Sequence, residues 1–157
     1  MAERNGATLA GIVLGVGLGG FFDGIVFHQL LQWHHMLSTV RTPDTVANLE
    51  LNTLWDGLFH AFTWVCVAVG LLLLWRAARR GVLSGRELVG ALLMGWGGFN
   101  LVEGAVNHLI LGIHHVNETA PRSQWAFWDW GFMLWGAAML VAGWALHVSW
   151  RRRYAAA

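Results

Sequence analysis

Four long apolar segments constrain this chain more than any other feature of its sequence. They run from about 7 to 31, 54 to 75, 88 to 113 and 125 to 150. A helix that crosses the roughly 30 Å hydrocarbon core of a bilayer needs about 20 apolar residues, so each segment is long enough. Of all residues, 56% are hydrophobic and only 12% are charged, which is typical of a membrane protein. The sequence therefore predicts an all-α, integral membrane four-helix bundle in contact with membrane lipid.

The arginines predict how the helices are oriented. The chain has no lysine, and most arginines flank one end of the predicted bundle, namely Arg4, Arg76, Arg79, Arg80, Arg86, Arg151, Arg152 and Arg153. The opposite end has only Arg41 and Arg122. Because positive residues accumulate on the cytoplasmic side of membrane proteins, both termini are predicted to be cytoplasmic. No basic patch suggests a nucleic-acid partner.

An internal repeat divides the chain into two halves. A shift of 80 residues aligns GVGLGGFFDGIVFHQLLQWHH with GWGGFNLVEGAVNHLILGIHH at eight identical positions, and WDGLFH later aligns with WDWGFM. The alignment pairs Asp23 with Glu103, His28 with His108, His34 with His114, His35 with His115, Asp56 with Asp129 and His60 with Met133. We predict a single transmembrane domain of two tandem helical hairpins, with repeat one at about 7–76 and repeat two at about 86–151.

Ionisable side chains inside these apolar segments need a partner or a purpose. If the first helix is continuous, its 100° rotation per residue places Asp23, His28, His34 and His35 on one arc. The third helix repeats the arc with Glu103, His108, His114 and His115, and adds Asn107. The arc should face the bundle interior, because lipid would leave these polar groups unpaired.

Continuous helices would also arrange these groups in two layers. With a rise of about 1.5 Å per residue, His28 would lie about 10 Å below His35. The expected outer layer contains His34, His35, His114, His115, Asp56 and Asp129. The expected deeper layer contains His28, His60, His108 and Met133. Asp23 and Glu103 would lie deeper still or orient the ligating imidazoles, and Asn107 is a further candidate in the same role.

This set of residues predicts a transition-metal site. Three imidazoles and a thioether suit copper, whereas a site richer in carboxylates suits iron or manganese in a dinuclear centre. Zinc is an alternative ion. Haem b is another alternative, with His28 and His108 as axial ligands. The competing interpretation is structural: the paired histidines would anchor helix ends at the interface, and the single ones would be packing residues.

Three functions remain open at this point. The chain could be a copper-binding protein that serves redox chemistry or copper handling. It could be a dinuclear non-haem metal oxidase or oxygenase, and so a metal-dependent membrane oxidoreductase. It could also be a haem b electron carrier. A small molecule or a redox protein is the expected partner on the outer side, and glycine-rich helix faces would permit a homo-oligomer.

The motifs FFDGIVFHQLLQWHHM, LWDGLFHAF and FNLVEGAVNHLILGIHHV resemble those of the small bacterial membrane proteins grouped as domain of unknown function 2243. The resemblance covers nearly the whole chain. It implies a four-span protein of the bacterial inner (cytoplasmic) membrane, and it suggests an association with copper and cytochrome oxidase assembly genes. It implies no reaction for any of these residues.

Overall fold

The computed structural model describes residues 2–81 and 83–155, and the side chains of residues 6–81 and 83–152. It contains four long helices, α1 (Ala2–Phe22), α2 (Val46–Arg79), α3 (Gly85–Glu103) and α4 (Trp125–Ala155), with a short 3-10 helix at Arg122–Gln124. Four helical segments are long and apolar enough to cross a membrane, and the described residues form no strand. The prediction of an all-α, four-helix membrane bundle is confirmed.

Helices α1 and α3 form the centre of the bundle, while α2 packs on α1 and α4 packs on α3. Glycines allow the close approach of the central pair: a Cβ atom on Gly15 would lie 2.9 Å from Gly95 Cα. On the α3–α4 side, a Cβ atom on Gly143 would lie 2.8 Å from Met94 N. Small residues let backbones approach in this way in membranes, where apolar side chains gain little by leaving lipid.

The C-terminal ends of α1 and α3 depart from the regular α-helix in the same way. Helix α1 continues as a π-helix over Asp23–Leu30, and α3 continues as a π-helix over Gly104–Ile110. Two residues later the backbone becomes left-handed, with φ of 50° at Gln32 and 56° at Gly112. A left-handed residue ends a helix. The prediction that the first helix continues through His35 is therefore wrong, because the chain turns back before the histidine pair.

The loop after this turn is fixed to the start of α2. Thr45 caps α2 by accepting a hydrogen bond from Asn48 N at 3.2 Å, and the helix begins at the next residue, Val46. One turn further along α2, the buried Asn52 side chain donates to Arg41 O at 2.7 Å and accepts from Leu37 N at 2.9 Å. These contacts hold the loop against the N-terminal part of α2.

Candidate metal centre

Four buried imidazoles meet at the C-terminal ends of the two central helices. The ring centroids of His28 and His34 are 4.3 Å apart, and those of His108 and His114 are 5.0 Å apart. Between these pairs, His34 and His114 stack at 4.6 Å with their planes 5° apart. All four side chains are almost completely buried. Each half of the chain thus supplies one histidine from a π-helix and one from the turn that follows it.

Two carboxylates border this imidazole cluster. Asp23 Oδ2 lies 3.3 Å from His28 Nε2. Glu103 Oε1 lies 3.1 Å from His108 Nε2 and 2.8 Å from His114 Nε2. The six side chains form what we call the buried centre, namely Asp23, His28, His34, Glu103, His108 and His114.

Two sets of donor atoms in the buried centre are close enough together to bind one ion. The first set is His28, His34 and His114, and the second is Glu103, His108 and His114; within each set all the atoms lie within 4.8 Å of one another. The sets share His114. They therefore describe either one ion with a choice of ligands or two neighbouring ions that divide the histidines between them.

Backbone carbonyl groups fix the tautomers of the stacked pair. His34 Nδ1 lies 2.9 Å from Val116 O, and His114 Nδ1 lies 2.9 Å from Met36 O. A carbonyl oxygen can only accept, so each Nδ1 must donate its proton. In the neutral imidazole the lone pair then lies on Nε2, which is the form that binds a metal. Each carbonyl comes from the opposite half of the chain, so the two halves orient each other's histidines.

The buried centre contains more acceptors than donors. His114 Nε2 carries a lone pair when Nδ1 donates to Met36 O, yet it lies 2.8 Å from a carboxylate oxygen of Glu103. His28 is similar, because Asp56 Oδ1 lies 2.8 Å from its Nδ1 and Asp23 Oδ2 lies 3.3 Å from its Nε2. Two facing acceptors are stable only with a cation between them, either a proton or a metal ion.

Asp56 and Asp129 support the imidazoles from outside. Asp56 Oδ1 accepts from His28 Nδ1 and from Met36 N at 2.9 Å, while its Oδ2 accepts from His35 Nδ1 at 2.7 Å. Asp129 accepts from His115 Nδ1 at 2.6 Å. Its distance to Nδ1 of His108, the π-helix histidine of the same half, is longer, at 3.5 Å. Carboxylates in this position orient a metal-binding imidazole and raise its basicity.

The predicted arrangement in two layers is wrong. Because the chain turns back after Leu30, His34 contacts His28 instead of lying above it. The paired residues His35 and His115 are half-buried and bind the supporting carboxylates. Asp23 and Glu103, predicted to lie deeper or to orient ligands, come within hydrogen-bonding range of the imidazole Nε2 atoms.

His60 and Met133 lie apart from the buried centre. His60 Nδ1 donates to Asp56 O within α2 at 2.8 Å, and its Nε2 would be 2.6 Å from a Cβ atom on Gly24. Met133 Cγ would similarly lie 2.9 Å from a Cβ atom on Gly104. Each side chain therefore fills the space beside a glycine. Asn107, the remaining candidate, donates weakly to Glu103 Oε1 at 3.4 Å.

His34 lies outside the membrane-spanning segments, and its surroundings favour the neutral imidazole. Burial lowers its pKa well below the ordinary value, and the neighbouring His114 and His28 act in the same direction. Its Nε2 atom is buried and has no hydrogen-bond partner. A neutral ring with a free, buried lone pair is suited to bind a metal ion.

A polar cleft connects the buried centre with the loop side of the bundle. Its volume is about 700 Å³, and it reaches His28 and His34. Gln29, Gln32 and Glu118 also line it. An ion or a small polar molecule could therefore reach the imidazoles from the loop side of the bundle.

Sequence reasoning missed the contribution of the Met36 and Val116 carbonyl groups. Backbone groups leave no signature in side-chain composition. The only signal was positional, because each of these residues follows its HisHis pair directly and the two lie at equivalent places in the repeat.

Comparison with known proteins gives one match. No curated protein and no solved structure matches the chain. The family described as "Predicted membrane protein (DUF2243)" matches residues 10–150. The match includes all six side chains of the buried centre and both supporting carboxylates. The chain therefore belongs to the DUF2243 family of membrane proteins.

Proposed function

We propose that this membrane protein binds a transition metal in the buried centre and uses it for redox chemistry or metal handling. The observation that carries the proposal is the excess of acceptors: His114 Nε2 and Glu103 Oε1 face each other at 2.8 Å while Nδ1 of the same ring donates elsewhere. A bound metal ion would satisfy both acceptors at once. One additional proton, on His114 or on Glu103, is the alternative way to satisfy both acceptors, and the metal content of the purified protein distinguishes the two cases.

Copper is the ion we favour. The set formed by His28, His34 and His114 contains imidazole donors alone, and imidazole is a good ligand for copper. Met133 was expected to add a thioether, but its side chain packs beside Gly104, and our proposal uses the imidazoles alone. The preference for copper therefore depends on the imidazoles, which make up four of the six side chains of the buried centre.

A dinuclear non-haem iron centre is the second candidate, and the other donor set favours it. Glu103, His108 and His114 are two imidazoles and one carboxylate, a combination used by non-haem iron enzymes. Asp23, His28 and His34 are the equivalent residues of the first half. Two such sets side by side would hold a pair of ions in the bundle core, as in other dinuclear helical bundles. An oxidase or oxygenase would use such a centre.

Zinc stays an alternative and haem b is less favoured. Zinc would suit the same imidazole and carboxylate ligands, so elemental analysis must distinguish it from a redox metal. A haem between His28 and His108 would need its porphyrin plane to pass between those two rings. The stacked rings of His34 and His114 occupy that region, at 4.3 Å and 5.0 Å from their respective neighbours.

We further propose that the protein resides in a bacterial inner membrane with both termini in the cytoplasm. The arginine-rich turn between α2 and α3 lies at the end of the bundle opposite the buried centre, and the positive-inside rule assigns that end to the cytoplasm. The buried centre then lies near the outer leaflet. A small molecule or a redox protein would reach it there through the polar cleft.

Elemental analysis of protein purified in mild detergent, without added metal, tests the proposal. We expect at least one transition-metal ion per chain in the wild type and a loss of that ion in His34→Ala. His60→Ala is the matched control, because it removes an imidazole that lies apart from the buried centre. Equal metal contents in wild type and His34→Ala, or an equal loss in both variants, would contradict the proposal.

A further inference from the structure

An apolar groove between α2 and α3 leads from the bilayer surface of the bundle to the buried centre. Its volume is about 390 Å³, and α1 contributes Val16 to its lining. Phe62 and Val102 border it and are 53% and 65% exposed, so the groove is accessible from the hydrocarbon region. We call it the α2–α3 groove, and its other principal lining residues are Phe59, Phe99, Glu103, Val106 and Asn107.

The α2–α3 groove contains a polar group that has no partner. Glu103 lines it and is only 7% exposed, and its Oε2 atom is buried without a hydrogen-bond partner. The other oxygen, Oε1, is the one that faces the imidazoles of His108 and His114. A buried acceptor without a donor is costly. The Oε2 atom therefore remains available to a ligand in the α2–α3 groove that donates a hydrogen bond, once the side chains that cover this atom move aside.

The corresponding groove between α1 and α4 lacks this polar group. Its volume is about 350 Å³, and the described residues that line it include no carboxylate. Phe27 takes the place that Asn107 has in the repeat, and it stacks on Trp33 at a centroid distance of 5.2 Å. Phe22 also contacts Trp135 at 5.5 Å. Phe27, Phe132 and Trp135 line this groove at the repeat positions of Asn107, Phe59 and Phe62, so the two grooves correspond in part and only the α2–α3 groove has a carboxylate in its described lining.

We propose that the α2–α3 groove binds a membrane-soluble molecule with a hydroxyl-bearing aromatic ring, of the phenol or quinol class. The ring would lie among phenylalanines, of which Phe59 and Phe99 are already stacked at 6.0 Å and 25°. The hydroxyl group would donate to Glu103 Oε2. The same carboxylate would then contact both the bound molecule and the metal ligands. This inference builds on the proposed metal site and names the class of its substrate.

Photolabelling of the protein in lipid nanodiscs tests the inference. The probe is an alkylphenol that carries a diazirine, and a matched probe lacks the hydroxyl group. We expect the phenol to label the lining of the α2–α3 groove about tenfold more efficiently than the matched probe, which is the effect of one hydrogen bond to a charged acceptor. Labelling of the α1–α4 groove should be equal for the two probes.

Two glycines provide matched variants, because each lines one groove and a Cβ atom on either would meet nothing within 4 Å. Gly98→Leu fills the α2–α3 groove and should abolish the preference for the phenol, whereas Gly131→Leu in the other groove should preserve it. Asn107→Phe introduces the residue type that the α1–α4 groove has at the equivalent position, Phe27, and it should act like Gly98→Leu.

The metal content of each sample separates this inference from the metal proposal. Equal labelling by both probes in wild type that retains its metal would overturn the inference and leave the metal site intact. A preference that survives Gly98→Leu would also overturn it. A preference for the phenol in protein that contains no metal would support binding in the α2–α3 groove while contradicting the proposed metal function.

Discussion

Replacement of Asp56 by asparagine should weaken metal binding without a direct change to any ligand. Three donors converge on this carboxylate, namely His28 Nδ1, His35 Nδ1 and Met36 N, at 2.7 to 2.9 Å. An asparagine side chain offers one acceptor oxygen and an NH₂ group, so at least one of the three donors must lose its partner. The variant also loses the negative charge that raises the basicity of His28.

The magnitude follows from the role of the carboxylate. The amide oxygen is expected at the Oδ1 position, where it can accept from both Met36 N and His28 Nδ1, so the NH₂ group faces His35 Nδ1. The change at His28 is then the loss of the negative charge that raises its basicity as a ligand. Substitution of a group that orients a metal ligand costs 10- to 100-fold in metal affinity, or roughly 1.4 to 2.7 kcal/mol. Asp129→Asn should cost less, because the supporting contact in the second half is longer, at 3.5 Å from His108 Nδ1.

The affinity of detergent-purified protein for copper can be measured by competition with a chromophoric chelator. Asp44→Asn is the control, because Asp44 is an exposed carboxylate in the loop before α2. Thermal unfolding would show that each variant is folded. An affinity of Asp56→Asn equal to that of the wild type, or an equal loss in Asp44→Asn, would refute the proposed support of His28.

Two further predictions concern His34 and Met133. Because burial lowers the pKa of His34, the unfolded chain takes up a proton below about pH 6.5 that the folded chain does not. The stability of the metal-free protein against thermal unfolding should therefore fall as the pH drops below about 6.5. His34→Gln should make this dependence of stability on pH less steep. An equally steep dependence in the variant would contradict the assigned direction of the pKa shift. Met133→Leu should keep the full metal content by elemental analysis, whereas a loss of metal would show that the thioether is a ligand after all.

The sequence predicted the helices and the burial of the ionisable groups within them well, because both follow from local rules. Each span is long and apolar, and a polar group such as Asp23 or Glu103 in such a span is excluded from lipid. Internal alignment then identified the residues of the two halves that belong together. None of this required knowledge of how the helices pack.

The three-dimensional form of the centre could not be predicted in the same way. The layer prediction assumed a regular helix through His35, whereas π-helical turns and a left-handed residue end both central helices early. Gly112 was a visible signal for such an end, but its partner in the first half is Gln32, which rarely adopts a positive φ. The orientation of His34 and His114 depends on carbonyl groups from the opposite half, so it appears only after the halves pack together.

Anomalous diffraction at a metal absorption edge, on crystals of protein purified without added metal, tests the central claim most directly. The account predicts an anomalous peak about 2.0 to 2.2 Å from the ligating atoms of one of the two donor sets, either His28, His34 and His114 or Glu103, His108 and His114. Peaks in both sets would identify a dinuclear centre. A peak beside His60, or a fully ordered cluster with no anomalous peak, would contradict the account.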